Sequence, residues 1–236
     1  MNNFQRKFYK FLIKSNIFYC PQCGKKNHSY YNSLCHNCRK ELNFISSNYC
    51  YSCGGELDGA LAICSKCLKE KKRTFLHAIS IFPYQKFNRE LLLSYKNGGK
   101  IELSRFFAKT AANKLKRINL DFDLIIPIPL HWTKQLQRGY NQSEFLAELI
   151  AAKLNKPCVK KGLKRVKRAK QQKQLNSLER HQNLRNAFLA DSKIVAGQKV
   201  LLIDDIFTTG ATLENASSAL KKAGASVVYV LTIARA

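Results

Sequence analysis

Eight of the nine cysteines in this 236-residue chain fall into four Cys-x-x-Cys pairs near its N-terminus. The first twenty residues lack the uninterrupted apolar run of a signal peptide, which indicates a reducing, cytoplasmic compartment where disulfides are disfavoured. A Cys-x-x-Cys turn aims two thiolates at one point, and two such turns complete the tetrahedral shell of a zinc ion. The pairs therefore predict two zinc sites with these ligands: Cys20, Cys23, Cys35, Cys38, Cys50, Cys53, Cys64 and Cys67.

These pairs form an internal repeat, because CPQCG and CHNCRKEL are followed by CYSCGG and CSKCLKEK. The repeat favours two zinc ribbons in tandem with one ion each, although a cross-braced arrangement would use the same cysteines. Four thiolates close each shell, so both sites are predicted to be structural. This leaves His28 and His36 as bystanders, and the lone Cys158 as a small apolar residue near a strand.

The chain is strongly basic, with 41 Lys and Arg against 15 Asp and Glu and a net charge of +26. This charge disfavours a neutral or cationic partner. It favours nucleic acid, phosphorylated metabolites or an anionic membrane surface. A merely solvated basic surface has the same composition. No apolar stretch approaches the length of a transmembrane helix.

Composition shifts along the chain predict four segments. Residues 1–17 form a basic and amphipathic segment, predicted to be helical, which either packs on the next domain or touches the inner face of a membrane. Residues 18–70 form the double zinc ribbon domain, and residues 71–77 are a charged linker. Residues 78–236 form the main domain.

The main domain alternates strands with helices. Apolar runs such as DLIIPIPL, KVLLIDDIF and SVVYVLTIAR are typical of buried strands, whereas QSEFLAELIAAKL has the period of an amphipathic helix. This alternation predicts an α/β fold, in which a parallel-dominated sheet carries helices on both faces. Ligands of such sheets bind beyond the carboxyl ends of the strands.

The clearest chemical motif follows the strand Val200–Ile203. Two carboxylates, Asp204 and Asp205, stand at its end, and Thr208–Thr212 then leads into a helix. Amides at a helix N-terminus with a glycine cradle a phosphate, and threonine hydroxyls add donors. Paired carboxylates accept hydrogen bonds from two vicinal sugar hydroxyls and can hold Mg²⁺ through water. The order predicts a ribose phosphate site, and the lack of a G-K-[ST] motif disfavours a Walker-type loop.

The segment VLLIDDIFTTGAT resembles the signature of type I phosphoribosyltransferases. Further segments are similar to the ComF family of competence-associated proteins, namely LLLSYKNGGK, IIPIPLHWTKQLQRGYNQ and LKRVKRAKQQKQLNSLERHQNLRNAF. The last of these aligns with the flexible loop of that family, except that Ala169 lies where the family usually has Thr. The double zinc ribbon belongs to the same architecture, so the resemblance covers nearly the whole chain.

The resemblance implies a site for phosphoribosyl pyrophosphate with Mg²⁺. Asp204 and Asp205 would be its catalytic carboxylates and bind the ribose hydroxyls. The other ligand-binding residues implied are Lys96, Pro129, His131, Arg138, Thr208, Thr209, Gly210, Ala211 and Thr212. Residues 156–185 carry eleven Lys and Arg against one acid, and the equivalent loop of the fold closes over the site.

The resemblance also implies a role in DNA uptake during natural transformation, and three activities remain open. The first is a phosphoribosyltransferase with an unknown acceptor. The second is a non-catalytic sensor of a nucleotide or ribose phosphate that binds single-stranded DNA or a DNA-uptake helicase. The third is nucleobase salvage. Residues 156–185 contain no aromatic residue for base stacking, so this segment suits phosphates better than bases.

Overall fold

A computed structural model describes residues 18–27, 34–57, 59, 61–70, 72–97, 99–130, 141–166 and 187–236. Its strands are β1 (Phe18–Tyr19), β2 (Lys26–Asn27), β3 (His77–Pro83), β4 (Leu124–Pro127), β5 (Leu163–Arg165), β6 (Phe188–Ala190), β7 (Lys199–Phe207) and β8 (Val227–Arg235). Its helices are α1 (His36–Lys40), α2 (Ser65–Leu68), α3 (Lys86–Asn97), α4 (Leu103–Arg117), α5 (Gln142–Leu154), α6 (Ser192–Val195) and α7 (Ala211–Lys222), with a 3₁₀ turn at Lys160–Gly162.

The central sheet has the strand order β3-β8-β7-β4, and every neighbouring pair is parallel. Leu231 of β8 lies opposite Ile79 of β3 and opposite Ile203 of β7, so the carboxyl ends of these strands meet at one edge. This confirms the predicted parallel sheet. Strand β3 begins at His77, the last residue of the predicted linker.

Hydrophobic cores cover both faces of the sheet. Along β7, Leu201 and Ile203 pack into one core with α4 and α5, whereas Val200 and Leu202 pack into the other with α7. Successive side chains of a strand point to opposite faces, which explains why an unbroken apolar run was needed here. All four side chains are fully buried, and each contributes about 1.5–3 kcal/mol through burial.

Residues 45–51, which run from the first cysteine repeat into the start of the second, lie along the free edge of β3. The Ile45 amide donates to the Ile81 carbonyl (2.9 Å), and the Ala78 amide donates to the Tyr51 carbonyl (2.7 Å). Lys114 of α4 donates through Nζ to the Ile45 carbonyl (3.0 Å). The ribbon segment therefore satisfies backbone groups that an exposed edge strand would leave unpaired.

Two smaller features complete the fold. Strands β5 and β6 pair antiparallel and flank residues 167–186, which lie outside the described residues. The predicted N-terminal helix, residues 1–17, also lies outside them, as does His28. Within the described ranges, none of the helices is both long enough and apolar enough to cross a membrane.

Candidate functional site

The acidic pair, Asp204 and Asp205, occupies the carboxyl end of β7. Asp204 Oδ1 accepts a hydrogen bond from the Ser143 hydroxyl (3.2 Å) and another from the Asp205 amide (2.9 Å). Asp205 Oδ1 accepts from the Ile206 amide (2.7 Å). Both residues are partly exposed, so a ligand can reach their carboxylates.

Lys96 supplies the positive charge that faces this pair. Its Nζ lies 2.6 Å from Asp205 Oδ2, and the two side chains are 27% and 16% exposed. The end of α3 is held against the start of α5, because Gln142 Nε2 donates to the Lys96 carbonyl (3.2 Å) and the Tyr95 hydroxyl donates to the Gln142 carbonyl (3.0 Å). These contacts aim Lys96 at the acidic pair from another part of the chain.

Burial, and after it the charge of the adjacent Asp205, raise the pKa of Asp204 to about 7 against the opposing effect of Lys96. Desolvation and a nearby like charge both disfavour the ionised carboxylate. Near neutral pH, Asp204 is therefore partly protonated. It can donate or accept a hydrogen bond, and an added cation favours its ionised form.

The loop Thr208–Thr212 follows β7 and contains Gly210 in a left-handed conformation with φ of 77°. A Cβ atom there would lie 2.6 Å from Cζ of Phe207, so only glycine fits without displacing that ring. Helix α7 starts at Ala211, whose amide donates to Thr209 Oγ1 (3.3 Å). The loop therefore brings backbone N–H groups and the positive end of a helix beside the acidic pair, as anion binding requires.

The predicted linker packs against this loop. The Thr74 amide donates to both carboxylate oxygens of Glu214 (3.0 and 3.1 Å), and the Thr74 hydroxyl bonds to the same group. Arg73 Nη2 pairs with Glu70 and lies 3.4 Å from the Thr209 carbonyl. Residues 72–76 thus pack against the start of α7 and hold it in place.

The start of α5 holds the loop that follows β4. Asn141 caps the helix by accepting a hydrogen bond from the Ser143 amide (3.1 Å) and donates to the Ile128 carbonyl (3.1 Å). This places half-buried Pro129 near the carboxyl edge of the sheet. His131 and Arg138 lie outside the described residues.

The structure brings together a subset of the predicted residues around the carboxyl ends of β4 and β7, namely Lys96, Pro129, Asp204, Asp205, Thr208, Thr209, Gly210, Ala211 and Thr212. Sequence reasoning did not find the Ser143 hydroxyl as a partner of Asp204. The two residues are 61 positions apart, and no local pattern links them.

The eight paired cysteines form two groups, Cys20, Cys23, Cys35 and Cys38, and Cys50, Cys53, Cys64 and Cys67. The sulfur atoms within each group lie within 4.8 Å of one another. A tetrahedral zinc ion with Zn–S bonds of about 2.3 Å needs sulfurs about 3.8 Å apart, so each group fits one structural zinc. The grouping follows the repeats and not the cross-braced alternative.

The ninth cysteine behaves as the sequence suggests. Cys158 pairs with Ile125 beside β4 and packs on the core. Burial raises the pKa of its thiol to about 11, so the thiol stays protonated at neutral pH.

A cavity of about 880 Å³ lies outside the acidic site, on the outer face of α7. Lys72, Thr74, Leu189 and Lys222 contribute to its walls. None of Lys96, Asp204 or Asp205 lines it. The cavity is therefore separate from the candidate ribose phosphate site.

Two protein families match parts of the chain. The double zinc ribbon domain family matches residues 17–68, and the phosphoribosyl transferase domain family matches residues 141–236. The two matches agree with the cysteine groups and with the segment that carries the acidic pair.

Similar proteins match over longer stretches. Competence protein F of Haemophilus influenzae is 34% identical over 227 residues, which cover 93% of this chain and 97% of that protein. Competence protein ComFC of Bacillus subtilis is 27% identical, covering 86% of this chain and 84% of that protein. The DNA utilization protein YhgH of Escherichia coli K12 is 26% identical, covering 73% and 77%.

Among solved structures, the chain is similar to the glutamine phosphoribosylpyrophosphate amidotransferase of Bacillus subtilis complexed with ADP and GMP. The TM-score is 0.41 at 21% identity, and the match covers 56% of this chain but 26% of that enzyme. An adenine phosphoribosyltransferase of Thermoanaerobacter pseudethanolicus gives a TM-score of 0.36 at 12% identity, covering 60% of this chain and 83% of that one.

Proposed function

The chain belongs to the competence protein F family, and from this premise we propose that it binds phosphoribosyl pyrophosphate or a related ribose 5-phosphate ligand and acts in DNA uptake. The relatives are named as competence and DNA utilization proteins. Their names support a role in handling incoming DNA more than one in general nucleotide synthesis.

The observation that carries the ligand proposal is the placement of the acidic pair beside the Thr208–Thr212 loop. Asp204 and Asp205 stand where ribose hydroxyls can donate to their oxygens. The N–H groups at the start of α7 can donate hydrogen bonds to the 5-phosphate. A ligand with both groups satisfies the two halves of the site at once.

Lys96 and Mg²⁺ would handle the pyrophosphate. We expect Lys96 to exchange its contact with Asp205 for a pyrophosphate oxygen when the ligand binds. His131 and Arg138 remain proposed pyrophosphate ligands. Carboxylate oxygens suit Mg²⁺, which would enter with the ligand and neutralise its phosphates.

The proposed reaction is transfer of the phosphoribosyl group to an unidentified acceptor, with pyrophosphate as the leaving group. The site residues would stabilise positive charge on the ribose and negative charge on the leaving group. The alternative is a sensor that binds the same ligand without turnover. Nucleobase salvage is a third activity, which an acceptor screen that includes nucleobases would test.

The test measures binding and turnover on the same preparations. Calorimetry with phosphoribosyl pyrophosphate and Mg²⁺ compares the wild type with Asp205→Asn, and Asp121→Asn changes an exposed carboxylate as a matched control. We expect the Asp205 variant to lose at least tenfold in affinity and the control to bind normally. No binding by the wild type would refute the proposed ligand. Pyrophosphate release with an acceptor supports the enzyme, and binding without release supports the sensor.

The net charge of +26 favours a second role in contacting single-stranded DNA or a helicase that carries it. We propose that the protein acts in the cytoplasm, with residues 1–17 against the inner face of the membrane. Binding to an oligonucleotide should weaken steeply as salt rises, because neutralised phosphates release counterions. An affinity that does not change with salt would contradict phosphate contacts.

A further inference from the structure

Arg235, the last residue of β8, lies between the second cysteine group and the Thr208–Thr212 loop. Its Nη1 donates to the Thr208 carbonyl (3.1 Å) and reaches the Phe207 carbonyl (3.4 Å). Its guanidinium carbon lies 5.1 Å from the centre of the Phe207 ring. The same side chain lies beside the second cysteine group, because a Cβ atom on Gly55 would lie 3.5 Å from both Arg235 Cγ and Cys53 Sγ.

The backbone around Arg235 is fixed on both sides. Arg235 lies opposite Pro83 of β3 and opposite Phe207 of β7. Its carbonyl accepts a hydrogen bond from the Tyr84 amide (2.7 Å), and the amide of Ala236 donates to the Phe207 carbonyl (2.9 Å). The sheet therefore sets the direction in which this side chain leaves the backbone.

The bonds from Arg235 determine where the loop amides point. In a trans peptide unit the C=O and the following N–H point in opposite directions, and the described residues contain no cis peptide. Binding of the Thr208 carbonyl to Arg235 thus turns the Thr209 N–H to the other side. Arg73 acts in the same sense on the Thr209 carbonyl and so on the Gly210 N–H.

The position of Arg235 between the second cysteine group and the loop is also favourable electrostatically. A zinc ion with four thiolates carries a net charge of −2, which would repel an anion bound nearby. The Arg235 side chain lies beside Cys53 and hydrogen-bonds to the loop carbonyls. In this position its guanidinium would offset the charge of the zinc centre while it holds those carbonyls.

We propose that Arg235 is a positioning residue through which the second zinc centre holds the Thr208–Thr212 loop in its anion-binding form. The proposal rests on the proposed function, because it assigns a support to the same ribose phosphate site. Loss of zinc would free Cys53 to move and would remove the fixed group and the negative charge beside Arg235. The loop carbonyls would then turn, and affinity for the anion would fall.

The experiment uses the full chain with both zinc ions, and it compares wild type, Arg235→Gln, Arg235→Lys and the exposed Arg117→Gln as a control of equal charge change. Ribose 5-phosphate is the probe, and a coloured chelator that competes for zinc at equilibrium reports zinc affinity. In the wild type we expect the probe to raise the affinity for one of two zinc equivalents, because coupling between two sites is reciprocal. Arg235→Gln should bind the probe about tenfold more weakly and lose this gain in zinc affinity. Arg235→Lys should recover part of both, and Arg117→Gln should match the wild type.

Three results separate the proposals. If Arg235→Gln binds the probe normally, or if the probe still raises its zinc affinity, the positioning role is wrong. If the wild type does not bind the probe, the proposed ligand is wrong, and hydrogen exchange of the Thr208–Ala211 amides in ligand-free protein then tests Arg235 alone. Faster exchange of these amides in Arg235→Gln than in Arg117→Gln supports the role, and equal exchange overturns it.

Discussion

Replacing Asp204 with Asn should stabilise the protein more as the pH rises. The folded state raises the pKa of Asp204 from 3.8 to about 7, chiefly by burial. Folding therefore disfavours the ionised form, and the wild type loses stability as the pH rises from about 4 through about 7. At about 1.4 kcal/mol per pH unit, the full penalty is about 4 kcal/mol. Asn keeps an oxygen acceptor for Ser143 and the Asp205 amide but has no charge to bury.

Urea unfolding at constant ionic strength measures this effect. Between about pH 5.5 and about pH 8.5, the difference in unfolding free energy between Asp204→Asn and wild type should grow by about 2 kcal/mol. Zinc content is measured at each pH, so that metal loss is not mistaken for carboxylate titration. Asp121→Asn is the control, because Lys199 lowers the pKa of this exposed carboxyl and it stays ionised throughout. A difference for Asp204→Asn that stays flat with pH would refute the argument from burial.

Three other substitutions test separate parts of the site. Gly210→Ala should lower the unfolding free energy by about 1–3 kcal/mol, because the added Cβ would clash with the Phe207 ring. Urea unfolding measures the change, and a variant as stable as the wild type would contradict the prediction. Lys96→Met should lower the affinity for phosphoribosyl pyrophosphate about tenfold in calorimetry but leave the affinity for ribose 5-phosphate unchanged, because only the former carries pyrophosphate. Equal losses of affinity for the two ligands would argue against a pyrophosphate-binding role for Lys96. Elemental analysis of Cys50→Ser should find about one zinc per chain and Cys158→Ser about two, whereas loss of both ions in Cys50→Ser would point to a shared centre.

The sequence predicts best those parts of the molecule that are formed by contiguous residues. The strand, the acidic pair and the loop follow one another from Val200 to Thr212, so their physical uses can be recognised together. The unbroken apolar run of β7 predicted burial on both faces, and the two cores confirm it. Here local pattern and tertiary position agree.

Contacts between distant segments could not be predicted in the same way. Lys96 entered the site through the family resemblance, and its contact with Asp205 depends on how α3 ends against α5. Arg235 looks like an ordinary strand end in the sequence, and only the register of β8 brings it beside Cys53 and the loop. The cysteine spacing allowed two metal pairings, and the folded backbone selected one.

The zinc ribbons contribute to the stability of the main domain, because they cover the open edge of its sheet. Gly54 has a φ of 71°, and a Cβ there would lie 2.7 Å from the Ser80 hydroxyl of β3. Lys114 Nζ donates to the Ser80 carbonyl (2.9 Å) as well as to Ile45, so one side chain joins α4, β3 and the ribbon segment. A chain without residues 1–70 would expose the β3 edge and leave these groups unpaired. We expect it to aggregate at concentrations where the full chain stays dispersed in light scattering, and a stable truncated monomer would show that the sheet does not need this cover.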